Sequence, residues 1–219
     1  MKKAFIFDMD GVLIRSEEFY FERRMRFFKE NNLTPDSSDI DDYIGVSNEK
    51  VWENLVPEPS EREQIRRKYQ PFLEKNKINY QEYLDKQVPK ALATLQKQGK
   101  MLALASAGEE KEINRMLREC DLAQYFNVVI SGEKVKKNKP APDVYLETIK
   151  ALHISKDDCV VVEDSPTGIL AAKRAGLEVW AVPAPVDQKL ADVVLEDFGS
   201  IGVLLKNKIG IDNWIKSFQ

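Results

Sequence analysis

The sequence predicts an α/β protein, a parallel sheet covered by helices on both faces, with a separate helical segment inserted after the first strand. Three observations predict it. Short apolar runs recur along the chain: Ala4-Phe5-Ile6-Phe7, Met101 to Ala105, Val128-Val129-Ile130, Val160-Val161-Val162 and, interrupted only by Glu178, Leu177 to Val182. From about residue 88 these runs alternate with helical patterns. Between residues 17 and 83 the alternation stops, and no convincing strand appears. Fully apolar strands separated by helices indicate βαβ units, whose sheet is buried on both sides.

Taken in order, Ala4 to Phe7 is the first strand. The inserted segment then reads as helices over Glu17 to Glu30, Asn48 to Leu55, Ser60 to Asn76 and from Gln81 onward. This segment holds 11 of the 20 aromatic residues of the chain. Phe21, Met25 and Phe28 fall at helical spacing, which predicts an internal core rather than an aromatic binding box. A helix over Pro89 to Gln98 leads through Gly99 to the second strand, and Glu110 to Glu119 is a helix before the third. Pro142 to Leu152 precedes the fourth strand, and Thr167 to Ala175 precedes the fifth. The division predicted is a core of residues 1–16 and 84–219 with an inserted helical lid of residues 17–83. Such a lid hangs over the carboxyl ends of the strands, where open α/β sheets bind ligands. Hinges are expected near Ile14 to Glu17 and Tyr83 to Pro89.

Composition narrows the function classes. The chain has 219 residues, 43% hydrophobic and 32% charged, with a net charge of −3. These are the proportions of an ordinary globular protein, and the acidic balance gives no nucleic-acid surface. The clustered Lys134, Lys136 and Lys137 read as a solvated loop. No apolar stretch approaches the roughly 20 residues that span a membrane, and the N-terminal run is too short for a signal-peptide core. Cys120 and Cys159 read as packed thiols rather than a disulfide framework. The expectation is a cytoplasmic protein without nucleic-acid or membrane partners, and nothing demands more than a monomer.

Four chemistry-bearing positions each follow a predicted strand. Asp8-Met9-Asp10-Gly11 follows the first, with glycine letting the chain turn away. Ser106 follows the second, with the small Ala107 and Gly108 beside it. Lys139 lies in the loop Lys137 to Asp143, and Glu163-Asp164 ends the fourth strand. In a parallel sheet these ends share one edge. Asp8, Asp10, Glu163 and Asp164 then bring four negative charges together, and a phosphate ester adds up to two more. Mg²⁺, which favours a few carboxylates with phosphate oxygens, supplies the compensation. Lys139 adds one positive charge as a phosphate partner, and Ser106 with backbone N–H groups can donate to the remaining oxygens. A carboxylate can attack phosphorus to give an aspartyl-phosphate, and a second can protonate the leaving oxygen and later activate water. Asp8 is assigned to attack and Asp10 to acid/base work.

These segments resemble the haloacid dehalogenase-like superfamily: Asp8-Met9-Asp10-Gly11-Val12-Leu13, the Ser106 segment, Lys139-Pro140-Ala141-Pro142-Asp143 and Glu163-Asp164-Ser165-Pro166-Thr167-Gly168-Ile169. The resemblance covers essentially the whole chain and is nearest to the β-phosphoglucomutase-like phosphatases and mutases. It implies a Rossmann-like core with a helical cap of the C1 type. It also implies metal ligation by Asp8, the backbone carbonyl of Asp10 and Asp164, with Glu163 alongside, and a small phosphorylated metabolite, by default a sugar phosphate, as substrate.

Within that family the second aspartate, Asp10, favours phosphoryl chemistry over dehalogenation. Lys50, Lys75 and Lys77 read as solvated helix residues rather than a Schiff-base lysine. A mutase needs a second phosphate site in the insert. Four residues past the hydroxyl of Ser16 stands Tyr20 where such mutases carry histidine, and Gly45-Val46-Ser47 is flanked by Ile44 and Asn48, neither basic. The reading favoured is therefore a phosphatase, with a sugar-phosphate mutase as the alternative and a regulatory phosphate-binding module as the non-enzyme alternative. Gly11, Ser16, Tyr20, Gly45, Ser47, Trp52, Ala107 and Gly108 are the expected substrate contacts, and the lone His153 is a packing or surface residue.

Overall fold

The computed structural model describes residues 2–202; residues 203–219 of the expected core lie outside the described residues. Six parallel strands form one sheet in the order β3-β2-β1-β4-β5-β6. They are β1 (Ala4–Phe7), β2 (Met101–Ser106), β3 (Val128–Ser131), β4 (Cys159–Glu163), β5 (Glu178–Ala181) and β6 (Val193–Val194). The two-residue β6 was not foreseen, because a pair of valines carries no periodicity. β1 lies in the interior, paired with β2 on one side and β4 on the other. The chain order reverses there, so the crevice beside the carboxyl end of β1 is the topological switch point at which such sheets bind ligands.

The sheet is apolar on both faces, and period-two geometry sorts its side chains cleanly. Phe5, Phe7, Leu102, Leu104, Val160 and Val162 point into one core. Ala4, Ile6, Ala103, Ala105, Val161 and Val179 point into the other. Helices α5 (Val88–Lys97) and α6 (Glu110–Glu119) cover the first face; α7 (Asp143–Leu152) and α8 (Pro166–Arg174) cover the second. Each buries an apolar stripe, such as Ile113, Met116 and Leu117 of α6. Fully buried Trp180 fills the first core, its ring edge-on to Phe5 at 5.7 Å. Both cysteines are buried and free, and His153 sits left-handed at the carboxyl end of α7, at φ 53°.

Between β1 and β2 the chain is helical: α1 (Glu17–Glu30), α2 (Asn48–Leu55), α3 (Pro59–Lys75) and the single turn α4 (Tyr80–Tyr83). This insert has its own apolar cluster, in which Phe27, Phe28, Trp52, Leu55, Ile65 and Tyr69 are buried. Its two connections to the sheet run side by side. The N–H of Arg15 donates to the Tyr83 carbonyl at 2.8 Å, and that of Asp85 to the Leu13 carbonyl at 3.1 Å. The insert also meets the core directly, since Gly45, at φ +70°, faces Pro166 and Val186. No helix among the described residues is long and apolar enough to cross a membrane.

Phe27 is 1% exposed, with the rings of Phe28, Tyr69 and Phe72 at 5.1–5.8 Å from its own. Phe27→Ala is expected to cost about 3–5 kcal/mol of stability, read by urea denaturation. A loss below about 1 kcal/mol would show that the insert lacks a packed core of its own.

Candidate active site

Asp8 leaves β1 at its carboxyl end, 7% exposed, with its N–H donating to the Val162 carbonyl of β4 at 3.0 Å. That bond extends the β1–β4 ladder by one residue and fixes Asp8 beside Glu163. Lys139 reaches in from the loop between β3 and α7, where its peptide bond to Pro140 is cis. Its Nζ donates to Asp8 Oδ1 at 2.6 Å, to Glu163 Oε1 at 2.7 Å and to the Ala105 carbonyl at 3.1 Å. Three acceptors match the three protons of an ammonium. Burial works against that charge, but Asp8 and Glu163 hold Lys139 well above its usual range.

Glu163 is wholly buried and saturated with donors. The Tyr145 hydroxyl donates to Oε1 at 2.7 Å, and Oε2 accepts from the Asp164 N–H at 3.0 Å and from Ser165. Burial opposes its charge; Lys139 and these hydrogen bonds nevertheless hold it below the usual carboxylate range. Asp164, 4% exposed, is different, because no described side chain or N–H donates to its carboxylate. Burial and the charges of Glu163 and Asp8 push it well upward. Burial, with Glu163 and Asp10 adding to it against Lys139, pushes Asp8 up to about 7.

Two glycines make this packing possible. Gly11 stands at φ +74°, and a Cβ there would overlap the Asp164 carboxylate. A Cβ on Gly168, in the first turn of α8, would overlap the Glu163 carboxylate. Both positions therefore require glycine for the close approach of a carboxylate, and Gly11 for its left-handed backbone as well.

Ligand oxygens of Asp8, Glu163 and Asp164 lie within 4.8 Å of one another. Ionised together, three carboxylates against one ammonium would carry a net charge of −2, which burial opposes, and a divalent cation matches both that charge and the all-oxygen donor set. The cluster therefore fits the implied metal. The Asp10 carboxylate lies outside this group. It accepts from the Ser16 hydroxyl at 2.5 Å, and the Tyr20 hydroxyl is a second hydrogen-bonding neighbour. Burial pushes its pKa upward. Ser16 is the N-cap residue of α1, yet its side chain makes no cap hydrogen bond. Its hydroxyl is turned to Asp10 instead, and Glu17 and Glu18 complement the helix dipole.

Ser106, 2% exposed, ends β2, and its Oγ accepts from the Gly108 N–H at 3.1 Å. The tight turn is tied from outside by the Asn138 amide on the Ala107 carbonyl and the Ser131 hydroxyl on the Gly108 carbonyl.

Two cavities open at the carboxyl edge of the sheet, one lined by Gly11 and Asp164 and the other by Met9 and Asp10. The larger, about 760 Å³, is bounded by Gly11, Asp164, Glu17, Ile44 and the segment 182–185, and its walls are acidic. Burial and the nearby Asp10 push Glu17 up to about 7. The smaller, about 320 Å³, lies under the insert on the Asp10 side, and Tyr20, Trp52, Asn48 and Gly108 line it. Arg23, Arg24, Arg66, Lys77 and Arg115 line it too. These cations come from α1, from α3 and the residues just past it, and from α6 of the core, and none comes from the turn beside Gly45. Lys77, expected on a solvated face, pairs with Glu74 at 2.8 Å on this wall.

Of the expected contacts, Asp10, Tyr20, Trp52 and Gly108 line the smaller cavity and Gly11 the larger. Trp52 also packs on Tyr69, with rings 5.2 Å apart. Ser47 is not brought to either cavity; it is exposed, and its Oγ accepts from the Lys50 N–H to cap α2. Gly45 meets the core without lining either cavity. Glu17, Arg23, Arg24 and Tyr145 were not anticipated. For the two arginines a signal existed, since they stand three and four residues past Tyr20, on the same helix face. For Tyr145 there was none.

Comparison with known proteins agrees with this geometry. A profile of haloacid dehalogenase-like hydrolases matches residues 5–182. The chain is 34% identical to the phosphorylated carbohydrates phosphatase of Thermotoga maritima, over 80% of this chain and 82% of that one. It is 32% identical to hexitol phosphatase B of Escherichia coli, over 89% of each. Among solved structures, a candidate beta-phosphoglucomutase from Thermotoga maritima superposes with a TM-score of 0.73 at 31% identity, covering 94% of this chain and 99% of that one.

Gly168→Ala should lower stability by about 1–3 kcal/mol, the usual cost of an overpacked core, as Glu163 is pushed off Lys139. Thermal denaturation checks it, and an unchanged midpoint would mean that Glu163 is free to move aside.

Proposed function

The chain belongs to the haloacid dehalogenase-like hydrolase family, whose members here act on phosphoric monoesters, and on that premise we propose a phosphatase of sugar phosphates working through an aspartyl-phosphate. The observation that carries the reading is the separation of the two aspartates. Asp8 is gripped by Lys139 inside the acidic cluster, while Asp10 is held by Ser16 and faces the cavity under the insert. One is thus set to attack and the other to move a proton at the leaving oxygen.

Asp8 Oδ1 is occupied by Lys139, which leaves Oδ2 to attack phosphorus. The ammonium of Lys139 keeps the nucleophile oriented and offers positive charge to the phosphoryl oxygens. The Ser106 hydroxyl and the N–H groups of the turn after β2 donate to the same oxygens. Asp10 protonates the departing sugar oxygen and then takes a proton from the water that opens the aspartyl-phosphate. Asp8 and Asp164, with the Asp10 backbone carbonyl, would hold Mg²⁺, which when bound neutralises phosphate charge that the site cannot otherwise accommodate. The insert, carried on the paired connections at Arg15 and Asp85, closes over the reacting group and limits its exposure to water.

The names of the phosphorylated carbohydrates phosphatase and hexitol phosphatase B support a sugar or sugar-alcohol phosphate. A second reading, a sugar-phosphate mutase, is favoured by one observation: the cationic wall under the insert could retain a bisphosphate while it turns over. The two differ in product.

Release of inorganic phosphate from a panel of sugar and sugar-alcohol phosphates tests the proposal. Phosphate release should require Mg²⁺, stop with EDTA and fall to background in Asp8→Asn. Asp10→Asn should lower it by roughly 10²–10⁴-fold, the usual contribution of a general acid/base. Isomerised sugar phosphate without net phosphate release would establish the mutase instead.

A further inference from the structure

The two oxygens of the Glu163 carboxylate have different kinds of partner. Oε2 is held from within its own turn, by the N–H groups of Asp164 and Ser165 and by the Ser165 hydroxyl, at 3.0–3.2 Å. Oε1 is held from outside, by Lys139 Nζ and by the Tyr145 hydroxyl, each at 2.7 Å. An ionised carboxylate offers only acceptor sites, so the phenol is the donor in this bond. The same Lys139 ammonium lies 4.9 Å from the centre of the Tyr145 ring. Tyr145 thus meets both members of the ion pair, the carboxylate through its hydroxyl and the ammonium through its ring.

Tyr145 is itself well fixed. It is fully buried near the start of α7, packed into the second core, and its N–H donates to the Pro142 carbonyl at 3.0 Å. One continuous segment, from the Lys139 loop into α7, therefore delivers both donors to one oxygen. Bonds to Oε2 alone would leave Oε1 able to swing about it. A displaced Oε1 carries Lys139 with it, and Lys139 in turn holds Asp8 Oδ1 at 2.6 Å. The contacts run from hydroxyl to carboxylate to ammonium to nucleophile. Small errors in the placement of an attacking oxygen, or of a charge meant for the phosphoryl group, weigh on the transition state more than on the bound ester.

We infer that Tyr145 is a positioning residue for phosphoryl transfer, its hydroxyl locking Glu163 so that Lys139 keeps Asp8 in line for attack. The inference rests on the phosphatase reading for the role of Asp8, and it adds to that reading a residue one layer behind the reacting groups.

The test uses Tyr145→Phe, which removes the hydroxyl and keeps the ring. Thr148→Val is the control: Thr148 is equally buried one turn further along α7, and its hydroxyl donates to the Val144 carbonyl of its own helix. The probe is p-nitrophenyl phosphate with Mg²⁺, because its leaving group needs no acid. Tyr145→Phe should lower kcat about tenfold or more, the worth of one hydrogen bond to a charged group. KM should move by less than about threefold, as for an interaction expressed in the transition state. Thr148→Val should leave kcat unchanged. Heteronuclear NMR of the lysine ammonium groups, with Lys139 assigned through its own side-chain carbons, is a second readout that needs no turnover. A buried ammonium with three acceptors exchanges its protons slowly enough to be seen, and in Tyr145→Phe that signal should shift and exchange faster. The inference is overturned by an unchanged kcat in Tyr145→Phe, by an equal fall in Thr148→Val, or by a Lys139 signal that is absent from the unmodified protein or unmoved in Tyr145→Phe. If the unmodified protein hydrolyses neither this ester nor any sugar phosphate while the Lys139 signal still depends on Tyr145, the phosphatase reading fails and the positioning of Lys139 stands.

Discussion

The contact between Lys139 and its two carboxylates is the constraint on which the site depends. An ammonium with 6% side-chain exposure bridges Asp8 and Glu163, residues 155 positions apart on adjacent strands. Buried charges of this kind are tolerable only when their protons and lone pairs are all used. Lys139 meets that demand with three acceptors, and Glu163 meets it with Tyr145 and the N–H groups that begin α8. Asp8 is thereby immobilised between a strand ladder and an ammonium, and Asp164 is left as the carboxylate with capacity to spare. A site so arranged is short of positive charge, which is the physical reason it can receive both a metal and a phosphoryl group.

The surrounding backbone is shaped to permit that concentration of charge. Gly11 and Gly168 each stand where a carboxylate occupies the space of a Cβ. Ser16 forgoes the ordinary duty of a helix N-cap so that its hydroxyl can fix Asp10. These are departures from local preference, and they concentrate at the carboxyl edge of the sheet. Elsewhere the core follows its pattern closely, with alternate residues of β1, β2 and β4 serving the two faces.

The insert gives the crevice an electrostatic direction. The cavity beside Gly11 and Asp164 has acidic walls, and the one beside Asp10 carries cations of α1, α3 and α6 among its acidic residues. The second side also carries Tyr20 and Gly108. Asp10 and these cations therefore share a cavity, and the difference in charge between the two sides is set largely by the insert.

Much of this was legible in the residues themselves. The apolar runs located five of the six strands, because a strand buried on both faces needs no partner to reveal it. The predicted helices Glu17 to Glu30, Asn48 to Leu55 and Glu110 to Glu119 agree with the structure at both ends, since acidic first turns and apolar periodicity are local signals. Asp8, Asp10, Ser106, Lys139, Glu163 and Asp164 could be gathered in advance, because parallel topology alone brings strand ends to one edge. What the sequence did not disclose depends on neighbours distant along the chain. Whether Arg23 is consumed structurally is decided by where Tyr69 of α3 and Asn76 at its end come to lie. Whether Ser47 faces a cavity or caps α2, and which glycine faces a carboxylate, follows from the same packing. Local pattern determined the elements and the catalytic edge; only the folding of the insert over that edge decided which charges meet the substrate, because pairing between charges is a property of contacts and not of composition.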